Sequence, residues 1–424
     1  MKTGRRDLAL TLAILAVFAY LARTLFFSGS SADLVAVWLS GLEFGQGHFD
    51  RIYPRSGGLF TMQPPDGWLE LARAVGHDGP VYPYIYPPLW AALLSPLTAT
   101  VSFAAMKSAA SVLNFALIVG CVVAAYRASH YRAPMWTYFA IALPILSLTT
   151  PGLLAMHENQ PQILVSFLLV LSVERMRHKS FALAGLALAL AASLKVFPAL
   201  FVIIWIINAQ WRALAAFAFF GAALAAASVL VAGWPLHVLF LNQLLSISQT
   251  VLTTGNTYNL NAVIAHYFFN SELLHISAVG HPLASETISV GWEILPKTAL
   301  WRGLSTAALL AAIIWAGARI RRDPGIETTV WMFAFGAMAL LGPISWPYYY
   351  IPLLAFLPVI IDRLGAAKGL IILTITLLPS TLALPQILYQ VSGQALAPMV
   401  LSTAGFTILT IVFALLPGPG KPDT

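Results

Sequence analysis

The chain has 424 residues, 59% of them hydrophobic and only 9% charged, with a formal net charge of +7 and a single cysteine, Cys121. A mean hydropathy of +0.81 excludes a water-soluble globular domain, in which roughly a quarter of residues are charged. One cysteine excludes a disulfide framework and a cysteine-based metal centre.

Apolar runs near the length of a bilayer crossing recur along the chain, the pattern of a polytopic helical membrane protein. The N-terminal MKTGRRDLALTLAILAVFAY has the basic-then-apolar form of a signal peptide, and Ser30-Ser31-Ala32 is a passable cleavage site. Its apolar run continues nearly to Phe27, longer than a usual signal core, so an uncleaved first span is predicted. Basic clusters at Lys2/Arg5/Arg6, Arg127/Arg132, Arg175/Arg177/Lys179, Arg212, Arg319/Arg321/Arg322 and Arg363/Lys368 mark the cytoplasmic side. The predicted spans then alternate: 7–27, 106–126, 134–153, 160–173, 181–194, 197–210, 213–232, 299–318, 328–345, 348–361, 369–387 and 398–416. Segment 86–104, with Pro87-Pro88 and Pro96, breaks the parity and reads as a re-entrant or surface-lying helix. The positive charge is the ordinary positive-inside signature, and no nucleic-acid partner is expected.

The expected fold class is an all-α polytopic membrane protein with about 12 transmembrane helices (roughly 10 to 13) in one integral membrane domain, 1–424. Two long polar segments, 28–85 and 234–298, fall on the outer face, and loops of that size suggest work done there. Short amphipathic helices near 34–44 and 67–74 suit a position on the membrane plane. No internal repeat is visible, and so no sign of the inverted halves common in secondary transporters.

Polar side chains inside this apolar background carry the functional reading. In ASLKVFPAL, 192–200, both flanks are basic, so two short helices must form a hairpin with Lys195 and Pro198 at its tip. A lysine at that depth costs about 2.5–3.5 kcal/mol and expects a partner. It either holds an anionic head group, or snorkels or neutralises a carboxylate. HENQ, 157–160, lies between two spans, and its Glu158 is a candidate partner for Lys195. His157 and Glu158 gain no third ligand at a defined spacing, so no metal and no cofactor is expected. Asp33 is the first acid after the first span. It is either a general base shielded at the membrane boundary or the cap of the next helix.

Asp50, Asp66 and Asp78 sit in Gly/Pro-rich surroundings and read as solvated loop acids. TTGNTYNLNAVIAHYF, 253–268, sets Asn256, Asn259 and His266 among aromatics, either a sugar-binding surface or an ordinary polar loop. The aromatics of VYPYIYPPLW, 81–90, which include Tyr86, are either sugar contacts or, as is more common at an interface, belt residues. GPISWPYYY, 342–350, follows a span. Trp346 there reads as a cavity wall, and Tyr349 and Tyr350 as interface anchors.

Taken in order, Asp33, YIYPPLWAALLSPL, the Gln160 turn, SLKVFPAL, the Gly-Asn loop and GPISW resemble glycosyltransferase family 87, over about residues 30 to 360. That GT-C-type family comprises polyprenol-phosphate-mannose-dependent mannosyltransferases. The resemblance implies an enzyme of the cytoplasmic (inner) membrane working on its periplasmic or extracytoplasmic side. It takes a mannose-like sugar from a polyprenyl-phosphate donor to a hydroxyl of a lipid or glycan acceptor, with inversion. On this reading Asp33 is the base and Lys195 binds the donor phosphate, with His266 or Arg302 as a further contact. Tyr86, His157, Glu158, Asn159, Gln160, Asn256, Asn259, Trp346 and Tyr348 are expected around the sugar and acceptor. Two positions depart from the family pattern. Asn159-Gln160 stands where Gly-Gln is usual, and Pro347-Tyr348 follows Trp346 where Asp-His is usual. The competing class is a multi-pass transporter or lipid flippase, with Lys195 and Glu158 as a charge pair.

Overall fold

The computed structural model describes residues 4–27, 29–54, 58–278, 291–381, 384, 387 and 396–418. Residues 279–290 of the second polar segment and most of 382–395, where the expected span 369–387 ends, lie outside the described residues.

Helix α1, Arg5–Phe26, is followed by α2, Ala32–Gly45, and the short α3, Trp68–Ala74. Helix α2 is not the surface-lying amphipath expected. Ten of its 14 residues, including Leu34, Val35, Trp38 and Leu39, are buried, and it packs along α4, Pro88–Thr100. An all-round apolar helix is stable only when enclosed, and ADLVAVWLSGL offers no polar face.

Helix α5, Phe103–Ala128, begins at Ser102, whose hydroxyl caps Ala105 N–H. Helix α6, Met135–Leu148, stops at Thr149, because Pro151 disfavours helical continuation. Helix α7, Thr150–His157, turns through 158–161 into α8, Gln162–Arg177. Helix α9, Phe181–Leu194, ends at Lys195. A 3-10 turn, Phe197–Phe201, then leads into α10, Val202–Ile207.

This is the hairpin expected from the flanking charges. Lys179 and Arg212 border one depression, so both feet of the hairpin share an end of the bundle. Lys195 lies at the other end of α9, about 21 Å away at 1.5 Å per residue. Helix α11, Trp211–Ala232, packs closely on α9 at Gly185, where a Cβ would fall 2.6 Å from Ala216 Cβ. Close helix contacts of this kind need small residues in lipid.

Helix α12, Trp234–Gln249, and α13, Leu260–Phe268, frame a small sheet absent from the sequence reading. Its strands are β1, Thr250–Thr253, β2, Leu274–Ser277, and β3, Gly291–Pro296, in the order β1-β3-β2 and all antiparallel. Helices α14, Ala299–Arg322, and α15, Glu327–Leu341, pack together, and α15 also packs on the last helix, Ala397–Leu415. Between them run a 3-10 turn, Pro347–Tyr350, and shorter helices within 351–377.

Six helices among the described residues are long and apolar enough to cross a membrane, and four apolar stretches are shorter. The fold is thus a largely helical, multi-pass membrane architecture carrying one small sheet.

Candidate active site

The site begins where the chain leaves α1. Segment 29–32 is fastened to the turn after α7. A Cβ on Gly29 would lie 2.2 Å from the His157 carbonyl oxygen, so only glycine fits this approach. Ser31 N–H donates to that same carbonyl at 3.1 Å, and Asn159 Nδ2 donates to Ser31 Oγ at 3.0 Å. Ala32 N–H donates to Glu158 Oε2 at 2.8 Å, joined there by the Ser30 hydroxyl. Ser31 (φ 59) and Asn159 (φ 48) are both left-handed. Strain of about 1–3 kcal/mol at such a residue persists only where its surroundings hold it.

This fastening sets Asp33 in the first turn of α2. Ser31, not Asp33, occupies the N-cap position, and no side chain caps the helix, so the capping role considered for Asp33 does not hold. Asp33 instead borders a cavity shared with Glu158, Lys195, Asn256, Trp346, Tyr348 and Tyr349. Apolar side chains of α12, Phe240, Leu244 and Ile247, continue its lining.

The two carboxylates titrate apart. Burial, then the negative charge of Glu158, pushes Asp33 up to about 7, against the pull of Lys195 and a hydrogen bond from Gln160. For Glu158 burial also acts upward, but hydrogen bonds from His157, Ser30 and Ala32 outweigh it and hold the group below the usual carboxylate range. Paired acids driven apart in this way separate a proton acceptor from a fixed negative charge.

Lys195 is only 6% exposed. Its Nζ stands 4.7 Å from the Tyr349 ring centroid and 5.4 Å from those of Tyr86 and Tyr348, and it donates to Tyr349 Oη at 3.4 Å. It makes no ion pair among the described residues, so the expected Glu158–Lys195 pair does not form. Glu158 is taken up by Ser30, Ala32 and His157. Aromatic faces attract a cation without neutralising it, and the ammonium keeps its capacity for an anion.

The remaining candidates divide. Asn256 borders the cavity. Tyr86 and Gln160 stand behind it, where the Tyr86 hydroxyl donates to Gln160 Oε1 at 2.6 Å. That bond and one from Gln162 N–H occupy the amide oxygen and leave its NH2 for Asp33. Asn159 bridges α5 to Ser31 through Ser111 and Asn114. His157 pairs with Glu158 at 3.1 Å. Asn259 caps α13 through Ala262 N–H. His266, beside Tyr267, and Arg302, in the first turn of α14, are not among the cavity residues.

Several cavity residues escaped the sequence reading. Tyr82 lies in the aromatic run that reads as either sugar contact or interfacial belt, and is not singled out there. Tyr349 lines the cavity, and Tyr350 is fully buried, stacked on Phe406 at 3.9 Å and donating to the Tyr258 carbonyl. Neither is an interface anchor. Phe60 and Met62 carried no signal, because an apolar residue in a polar loop has no local mark of the wall it will join.

Residues 84–292 match the family model of glycosyltransferase family 87. Over that stretch the chain is similar to glycosyltransferase family 87. The match spans just under half of the sequence and bears out the resemblance. No curated protein matches the chain. Within the family region lie Tyr86, the 157–160 turn, Lys195 and Asn256. Asp33 and the wall at 342–349 lie outside it, brought to the same cavity by the fold. That family is one of glycosyltransferases, and six helices among the described residues are long and apolar enough to cross a membrane.

Proposed function

We propose that the protein transfers a mannose-like sugar from a polyprenyl-phosphate donor to a hydroxyl of a lipid or glycan acceptor, with inversion. The transfer takes place in this cavity, on the extracytoplasmic side of the cytoplasmic membrane. The observation that carries the reading is the joint presence of Asp33 and Lys195 in one cavity, a proton acceptor and a cation without an ion pair. The acceptor oxygen forms the new bond to the anomeric carbon and gives its proton to the Asp33 carboxylate. The bond from that carbon to the phosphate oxygen breaks, and its electron pair leaves with the polyprenyl phosphate, held by Lys195. The apolar residues of α12 suit the prenyl chain. Basic residues gathered at the foot of the α9 hairpin, opposite Lys195, support the cavity's outward placement under the positive-inside rule.

The alternative of a transporter or flippase rested on a Glu158–Lys195 pair, and that pair does not form. The deciding experiment incubates purified protein with a panel of polyprenyl-phosphate sugars and candidate acceptors, and reads products by mass spectrometry. A glycosylated acceptor with release of polyprenyl phosphate is expected. Absence of transfer from every donor would overturn the reading.

A further inference from the structure

The wall 342–346 has no regular secondary structure, yet it carries Trp346 and leads directly to Tyr348 and Tyr349 around Lys195. A segment of this kind must find partners for its carbonyls outside itself. Three are found in the second polar segment and its continuation. Asn261 Nδ2 donates to Gly342 O at 2.9 Å, Lys297 Nζ donates to Pro343 O at 3.3 Å, and Tyr258 N–H donates to Ser345 O at 3.1 Å. The Asn261 amide cannot turn over, because its oxygen already accepts from Trp301 Nε1 at 2.9 Å and Ser305 Oγ at 3.1 Å. Lys297 is anchored at its own backbone, where its N–H donates to Gln249 O at 2.8 Å at the end of β3.

We infer that Asn261 and Lys297 are positioning residues that clamp the Gly342 and Pro343 carbonyls and so set where Trp346 stands in the cavity it shares with Asp33. Stability alone is a poor reason for Lys297. It is a buried amine with no ion pair among the described residues, and burying such a charge for one carbonyl bond costs more than the bond returns. The bond does hold the carbonyl of a proline, midway between those fixed by Asn261 and Tyr258. Neither residue is assigned to the cavity lining, so each acts through the wall and not on substrate. The inference rests on the reading that donor and acceptor bind in this cavity.

The test compares Lys297→Met and Asn261→Asp with wild type, using polyprenyl-phosphate mannose as the donor. Asn261→Asp keeps an oxygen that accepts from Trp301 and Ser305 and replaces the donor to Gly342 with a carboxylate oxygen that repels that carbonyl. A displaced wall raises the donor KM by about tenfold with kcat within about twofold, the pattern of lost binding that is shared by ground and transition states. A structural role alone lowers the active fraction, and hence kcat, at unchanged KM, and that result or wild-type kinetics would overturn the inference. If Lys297→Met does not give monodisperse protein, Asn261→Asp is read in its place. Donor affinity is also titrated directly in an Asp33→Asn background. There each clamp variant is expected to weaken binding about tenfold, and unchanged affinity overturns the clamp. A wild type that binds this donor without transferring sugar overturns the proposed function, and the clamp is then decided by affinity.

Discussion

The ammonium of Lys195 sits 4.7 Å over the ring of Tyr349 and 3.4 Å from its hydroxyl, a buried cation held by a neutral side chain. An arrangement of this kind stabilises an arriving anion more than it stabilises the empty protein. Lys195→Met is therefore expected to lower kcat/KM by about 10²–10³-fold, in the range found when an electrostatic contact to a developing charge is removed. The same variant should melt no lower than wild type, since it removes a desolvated charge. Thermal unfolding in detergent, run beside the transfer assay, checks both parts.

Asp33→Asn is expected to reduce transfer by about 10²–10⁴-fold, the range attributed to a positioned general base. Donor affinity should stay near the wild-type value. Loss of affinity without a matching loss of turnover would remove Asp33 from the role of base.

The pH profile follows from the position of Asp33. With its group raised to about 7, log kcat/KM should climb with pH up to about 7, as the carboxylate ionises. Glu158→Gln removes the nearby negative charge that helps to raise it, and the rising limb should move to lower pH. The stability effect has the opposite sense. A carboxylic acid with a folded value above its unfolded value near 3.9 opposes folding once ionised. That cost is absent below about pH 4, grows between pH 4 and 7, and is complete above. Asp33→Asn should then melt above wild type at pH 8, with the gap closing toward pH 4.

Gly29→Ala places a methyl group 2.2 Å from the His157 carbonyl, too close for any rotamer to relieve. Overpacking of this kind costs about 1–3 kcal/mol. Because Ser31 and Ala32 are fastened to the same turn, the displacement reaches Asp33 as well. The expected result is a lower melting temperature together with a fall in kcat, measured on the same preparation.

Much of the architecture was legible because long apolar periodicity and basic flanks leave few choices. The hairpin tipped by Lys195 follows from two positive flanks and a proline. Two kinds of feature were not legible. Helix α2 lies in a segment that reads as polar overall, and only its contact with α4 shows that it is enclosed. The role of Asp33 was balanced between cap and base, because a carboxylate at a helix start is locally the same object in both. The contacts of Ser31 and Ala32 with the 157–159 turn, more than a hundred residues away in sequence, decide where it faces. The polar residues HENQ were visible as unusual, but their division of labour was not. Glu158 and Asn159 fasten a backbone, and Gln160 addresses Asp33.

The cavity draws on side chains from Asp33 to Tyr349, more than 300 positions apart. A growing chain at roughly 5–20 residues per second therefore spends on the order of 15–60 s in the membrane with Asp33 made and Tyr349 still missing. On the proposed function, transfer cannot precede completion of the cavity, and a truncation before residue 349 is expected to be inert however well its first helices insert. Two co-expressed halves split in the segment between α11 and α14 would regain the site only by meeting in the bilayer, which makes sugar transfer a direct readout of helix assembly.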